Sequence, residues 1–226
     1  MRPAAIVVAA GRGRRFGGEG PRKQYRRLGD RAVAELACRP FVAEARIGTL
    51  VLVLPPDDVD DPPGWARSLP VRLAPGGETR GASVRSGLEA LGEGSDTVLV
   101  HDGARPLVTR EVIGRVLDAV REGPVVPALP IPDTVKEVDA DGRIVATLDR
   151  SRLRRAQTPQ GFPREDLERA HRETGGGDAT DDAGLCEALG MEVRTVPGDP
   201  DNLKITTPAD LERARRILAR REARDG

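Results

Sequence analysis

The chain has 226 residues, enough to bury a sizeable core but short for two full α/β domains, so a single domain spanning 1–226 is expected. Its 36 basic and 36 acidic side chains cancel, which argues against a chain built to coat nucleic acid or an anionic membrane and points to a small-molecule partner. No stretch approaches the roughly 18 apolar residues of a membrane span, and the apolar run at 4–10 precedes Arg12, Arg14 and Arg15, the reverse of a signal peptide, so a cytoplasmic protein is expected.

In chain order, residues 4–10 form a continuous apolar run ending in Gly-Arg-Gly, the pattern of a strand buried on both faces that runs into a loop. Residues 49–54, 96–100 and 124–131 repeat it. Between these runs lie helical patterns at 32–45, 79–91 and 109–121, the second with Val84, Leu88 and Leu91 on one face and the third with Val112, Val116 and Leu117. Strands alternating with helices predict an α/β, Rossmann-like fold with a mainly parallel, doubly wound sheet. The rhythm changes at 132–150, where two alternating runs flank Asp141-Gly142, a hairpin signal. A lone two-stranded hairpin is marginal in water, so this β-arm is expected to protrude and pack on a second copy of the chain, giving a homodimer. Helical patterns return at 164–173 and 181–189, a strand fits 192–196, and an amphipathic basic helix closes at 208–221. Cys38 and Cys186 fall inside helical segments with no pairing pattern and read as small apolar residues.

Of the 36 basic residues 33 are arginine, and the three lysines are Lys23, Lys136 and Lys204. In a chain that uses arginine wherever either would serve, a retained lysine is a candidate for a place where a compact point charge is wanted, and Lys136, in the arm, reads as structural. The glycine-bearing loop Ala9-Ala10-Gly11-Arg12-Gly13-Arg14-Arg15 follows the first strand, and residues 11–31 carry eight basic side chains against two acidic ones. Backbone N–H groups and cations there suit a polyphosphate. A dinucleotide fingerprint fits poorly, because Pro21 and more arginines follow the glycines and the second strand ends in Pro55-Pro56 rather than an acidic residue. A Walker loop fails for want of Gly-Lys-Ser/Thr. Gly76-Gly77-Glu78-Thr79 reads as a glycine turn opening a helix, with Thr79 as cap and Ser83 able to hydrogen-bond the edge of a flat ligand. Asp102 leaves a buried strand beside the phosphate loop, where a Mg²⁺ ion or a substrate hydroxyl would be held, whereas His101 reads as a packed histidine.

Together with Lys23-Gln24-Tyr25, Ser83-Val84, His101-Asp102 with Ala104-Arg105-Pro106, Asp133-Thr134, Leu148-Asp149-Arg150, Gln157-Thr158-Pro159-Gln160, Thr180-Asp181-Asp182 and Asn202-Leu203-Lys204-Ile205-Thr206, these strings resemble the 2-C-methyl-D-erythritol 4-phosphate cytidylyltransferase family, in order and over nearly the whole chain. The resemblance implies an enzyme that joins CTP to methylerythritol phosphate in the non-mevalonate isoprenoid route, with Mg²⁺ and release of pyrophosphate. It implies catalytic roles for Arg15, Lys23, Arg150 and Lys204, and nucleotide contacts from Ala9, Ala10, Gly11, Gly13, Gly77, Glu78, Ser83 and Gly103. It places Asp102, Arg105, Thr134, Thr158 and Thr180 around the sugar alcohol, with Asp102 on the metal and the arm reaching across a dimer. Two departures stand out: Pro21-Arg22-Lys23-Gln24 carries one extra residue, which sets Arg22 against Lys23 as the catalytic cation, and Gly103 replaces a common alanine. A cytidylyltransferase for another polyol phosphate, such as ribitol 5-phosphate, and a catalytically silent nucleotide-binding protein remain as alternatives.

Overall fold

The structure, a computed structural model, describes residues 2–11, 22–175 and 180–225. In chain order the elements are β1 (Ala4–Val8), the short pair β2 (Arg27–Leu28) and β3 (Arg31–Ala32), α1 (Val33–Val42), β4 (Thr49–Leu54), α2 (Gly64–Arg67), β5 (Arg72–Pro75), α3 (Arg80–Leu91), β6 (Thr97–Asp102), α4 (Arg110–Ala119), β7 (Val125–Pro130), β8 (Val135–Val138), β9 (Ile144–Leu148), β10 (Arg154–Ala156), β11 (Gln160–Pro163), α5 (Arg164–Glu173), α6 (Asp182–Ala188), β12 (Arg194–Pro197) and α7 (Pro208–Asp225).

The main sheet runs β10, β7, β11, β6, β1, β4, β5, with β12 also on β7. The pairs β1–β4, β1–β6, β4–β5 and β7–β12 are parallel. Continuous apolar runs make the central strands because both of their faces are covered. On one face Ala5, Val7, Leu50, Leu52 and Leu54 pack with Ala37, Cys38 and Phe41 of α1 and Val112, Ile113 and Val116 of α4. On the other, Ala4, Ile6, Val51 and Val53 pack with Val84, Leu88 and Leu91 of α3, Leu167 and Ala170 of α5, and Leu185 and Cys186 of α6. Both cysteines are free thiols buried in these two layers, as the sequence pattern implies. Side-chain caps start three of these helices, from Thr79 to Ala82 N, Thr109 to Val112 N and Asp181 to Gly184 N.

The antiparallel part of the sheet departs from the strand–helix alternation. Because β12 occupies one edge of β7, β10 and β11 both lie along the other, and β11 inserts between β7 and β6. The pairing passes from Ala156↔Ala128 to Gly161↔Val125, an advance of five residues on one strand against three on the other, so a bulge of two extra residues falls within 157–160. Strands β8 and β9 form a separate two-stranded sheet, the arm, with Gly142 in the left-handed region at φ 79°. Val138, Ile144, Val145 and Leu148 of the arm are large apolar residues left exposed. Among the described residues no helix is long and apolar enough to cross a membrane.

Candidate active site

The chain leaves β1 toward β4 on one side and returns to β6 on the other, so the order reverses beside β1, and ligands of open α/β sheets bind at such a reversal. A cleft of about 750 Å³ opens there at the C-terminal ends of β1, β4, β5 and β6. Ala9, Ala10, Gly11, Gly77, Glu78, Ser83, Asp102, Gly103, Lys23 and Lys204 line it, ten of the residues picked from the sequence. Gly76 explains how two of its walls meet. Its N–H donates to Leu54 O at 2.7 Å, and a Cβ on it would stand 2.0 Å from the Ala10 Cβ, a clash no side chain survives. The Ser83 hydroxyl accepts from Gly77 N at 3.1 Å and donates to Thr79 O at 2.9 Å, so it pins the glycine turn to the start of α3. At Gly103 an alanine Cβ would lie 2.8 Å from the Ala9 Cβ, so glycine brings the β1 and β6 loops closer than alanine would allow.

Asp102, at the end of β6, is the charged centre of the floor. Its Oδ2 meets Lys204 Nζ at 2.7 Å, and its Oδ1 accepts from Arg80 Nε at 3.2 Å. Burial works against its charge, but Arg80 and Lys204 outweigh it and hold the carboxyl far below the usual carboxylate range. The Asp102 N–H donates to Thr158 Oγ1 at 3.1 Å, and that hydroxyl lies 2.9 Å from His101 Nδ1, while His101 Nε2 lies 3.1 Å from Arg105 O. A carbonyl only accepts, so Nε2 carries the proton and Thr158 donates to Nδ1. Burial pulls the His101 pKa down to about 4, which agrees with this neutral ring, and Phe41 packs 5.0 Å from it. His101 is a packed histidine, as read from the sequence.

Lys204 reaches the cleft because its segment is sewn to the β6 loop. Ile205 N donates to Ala104 O at 2.8 Å, Asn202 Nδ2 to Thr158 O at 2.8 Å, and Arg105 Nη1 to Asn202 O at 2.8 Å. Arg105 and Thr158 therefore act at one remove, holding the residues that line the cleft. Arg22 and Lys23 both line the cleft but are held differently: Arg22 Nη1 pairs with Asp58 at 2.9 Å, whereas Lys23 Nζ donates at 3.5 Å to the carbonyl of Ile205, the residue after Lys204. Thr134 and Arg150 belong to the exposed arm region, where Arg150 donates to Pro132 O, and neither lines the cleft. Thr180 is exposed beside the Asp181 cap of α6. Gly13 and Arg15 lie outside the described residues.

Residues 4–220 match the family model described as IspD: 2-C-methyl-D-erythritol 4-phosphate cytidylyltransferase. This chain belongs to the 2-C-methyl-D-erythritol 4-phosphate cytidylyltransferase family. A Streptomyces coelicolor protein of that name is 47% identical over 239 aligned residues, covering 100% of this chain and 88% of its own length. One from Cereibacter sphaeroides is also 47% identical, covering 97% of this chain and 98% of its own. The crystal structure of the Thermus thermophilus cytidylyltransferase superposes with a TM-score of 0.80 at 36% identity, over 97% of this chain and 100% of that one.

Three residues in or behind the cleft of this family member were given no role in the sequence reading, although Gln24 and Asp182 stand in strings that carry the resemblance. Arg80 lines the cleft and is one arginine among 33, so residue type gave it no distinction. Asp182 pairs with Arg80 at 2.7 Å from a helix 102 residues away, a contact that no local pattern announces. Gln24, inside the Lys23-Gln24-Tyr25 string, is buried in the cleft wall with no hydrogen-bond partner for either amide atom among the described residues.

Proposed function

We propose that this cleft joins CTP to 2-C-methyl-D-erythritol 4-phosphate, giving the CDP-alcohol and pyrophosphate, within one nucleotidyltransferase unit carrying a dimerisation arm. A phosphate oxygen of the alcohol attacks the α-phosphorus of CTP, a P–O bond forms, and the α–β anhydride bond breaks to release pyrophosphate. The nucleophile is already ionised, so positioning and charge neutralisation carry the catalysis and no general base is needed. The observation that carries the reading is the convergence of Lys23 and Lys204 on one side of a glycine-walled cleft, with Asp102 fixing Lys204 at 2.7 Å. Ala9, Ala10, Gly11, Gly77, Glu78 and Gly103 form a wall of small residues and backbone against which a flat base fits.

Among the described residues no three His, Cys, Asp or Glu side chains gather to hold a metal ion. The donor chemistry nevertheless fits Mg²⁺, which takes one or two carboxylates and completes its shell with substrate phosphates and water. Asp102 would be that carboxylate, through a lone pair that Arg80 and Lys204 leave open on its two oxygens, and the ion would neutralise triphosphate charge. Arg150 and Thr134, exposed on the arm and absent from their own cleft, would serve the alcohol phosphate of a partner subunit, with Thr180 beside it. A paired assay of pyrophosphate release from CTP tests the substrate: faster turnover with methylerythritol phosphate is expected, and faster turnover with ribitol 5-phosphate would overturn it.

A further inference from the structure

From behind the cleft to its lining runs a chain of five charged or polar side chains, three on helices α5, α6 and α3, one at the end of β6 and one in the loop before α7. His171 of α5 lies with Nε2 2.9 Å from Asp182 Oδ1; Asp182 Oδ2 takes Arg80 Nη1 at 2.7 Å; Arg80 Nε reaches Asp102 Oδ1 at 3.2 Å; and Asp102 Oδ2 holds Lys204 Nζ at 2.7 Å. Asp182 is fully buried and His171 nearly so. Burying a carboxylate and its partners gives little net stability over a well-packed apolar set, so stability alone does not explain this placement. Burial opposes the charge of Asp182, and the His171 hydrogen bond and Arg80 overcome it, so the carboxylate stays ionised and Arg80 stays charged between two anions.

The geometry has a consequence for Lys204. A guanidinium is a rigid fork that pairs both oxygens of one carboxylate when nothing else claims it. With only Asp102 to follow, Arg80 would turn to a two-pronged pairing and take Oδ2, the oxygen that anchors Lys204. Asp182 claims Nη1 and leaves Arg80 a single contact to Oδ1. We propose that Asp182, oriented by His171, is a positioning residue that holds Arg80 on one oxygen of Asp102 so that the other stays with Lys204. This rests on the cytidylyltransferase reading of the cleft only for its kinetic consequence.

Asp182→Asn and Arg80→Gln test it, each checked for folding by circular-dichroism melting. In pyrophosphate-release kinetics of Asp182→Asn kcat should fall on the order of 100-fold and the KM for methylerythritol phosphate should rise, as expected when a charge moves by about 1 Å, with CTP binding by calorimetry changed less than about threefold. In a Lys204→Ala background Asp182→Asn should add almost nothing, because its effect runs through Lys204, whereas a merely structural role would lower the rate by the same factor in both backgrounds. A second readout needs no turnover. The chain has three lysines, so reductive ¹³C-methylation gives few lysine signals to assign. The Lys204 signal should move toward that of exposed Lys136 in Asp182→Asn, and should keep its wild-type position in Arg80→Gln and in the Asp182→Asn/Arg80→Gln double variant, where the competing guanidinium is gone. A folded Asp182→Asn protein with the wild-type Lys204 signal overturns the proposal, as does a displaced signal that Arg80→Gln fails to restore in the double variant, or additivity with Lys204→Ala. If the signal moves but the wild-type protein releases no pyrophosphate, the clamp stands and the functional reading falls. Should Asp182→Asn fail to fold, His171→Leu, which keeps the Asp182 carboxylate but removes the group that orients it, decides by the same two readouts.

Discussion

Lys204 and Lys136 present the same side chain in opposite settings, and the contrast tests why three lysines persist among 33 arginines. Lys204 Nζ sits 2.7 Å from Asp102 Oδ2, in a corner already shared with Arg80, and with Arg105 Nε 3.9 Å from the same oxygen. A guanidinium there would be wider and forked, and would compete with Arg80 for the carboxylate. Lys136 stands exposed on the arm and donates to Thr147 Oγ1 across the strand pair at 2.6 Å, a contact an arginine can replace. Lys204→Arg and Lys23→Arg are therefore expected to lower kcat on the order of 100-fold although charge is kept, and Lys204→Arg also to raise the KM for methylerythritol phosphate. Lys136→Arg should leave both within about twofold of wild type. Steady-state kinetics of the three variants decides it, and wild-type rates at 23 and 204 would mean that any cation serves there.

Helix α7 shows how one element holds the segment that carries Lys204 into the cleft. Thr207 and Asp210 cap it reciprocally: Thr207 Oγ1 accepts from Asp210 N at 3.3 Å, and Asp210 Oδ2 accepts from Thr207 N at 2.8 Å and Thr206 N at 3.0 Å. Just upstream, Ile205 is buried with Leu211, Ala214 and Ile217, so the cap fixes the stretch that carries Lys204. Partial burial opposes the Asp210 charge, but the threonine hydrogen bonds prevail and bring its pKa down to about 2. The contribution of a carboxylate lowered in the folded state is complete above its unfolded value of about 4 and is lost as pH falls toward 2. Asp210→Asn should thus cost about 1 kcal/mol at pH 7, with the gap to wild type closing below pH 4 in urea titrations. A gap that stays constant down to pH 3 would contradict it. The same scale shows which elements the sequence made legible. The strands at 4–8, 49–54 and 97–102 were readable because burial on both faces demands unbroken apolar runs. Strand β11 was not, since Gln160 points its amide inward, donating to Asp181 Oδ2 at 2.7 Å and accepting from Ala183 N at 3.2 Å. Strand β10 is exposed throughout and has no pattern at all. In the site, glycines and lysines announced themselves by residue type, whereas Arg80 and Asp182 acquire meaning only when the fold brings α3 and α6 together.

At the scale of the whole molecule the arm poses the largest question, because one chain alone exposes Val138, Ile144, Val145 and Leu148 on it and keeps Arg150 away from its own cleft. Apolar side chains on a two-stranded ribbon invite a partner, and a twofold dimer would cover both arms with identical contacts. If each arm brings Arg150 to the neighbour's cleft, every site draws Lys204 from one chain and Arg150 from the other. Two inactive variants then complement each other. In a mixed dimer of Lys204→Ala and Arg150→Ala chains, the cleft of the Arg150→Ala chain keeps its own Lys204 and receives an intact Arg150, while the second cleft loses both. Random reassortment makes about half the dimers mixed, with one working site of two, so activity should return to about a quarter of wild type. If Arg150 served its own chain, every cleft would carry one lesion and mixing would restore nothing. The mixture is made by unfolding and refolding the two variants together, sedimentation verifies the dimer, and Val145→Asp on the arm serves as the control that abolishes both the dimer and the rescue. Activity near that of the separate variants in a verified mixed dimer would place Arg150 with its own subunit and remove the arm from catalysis.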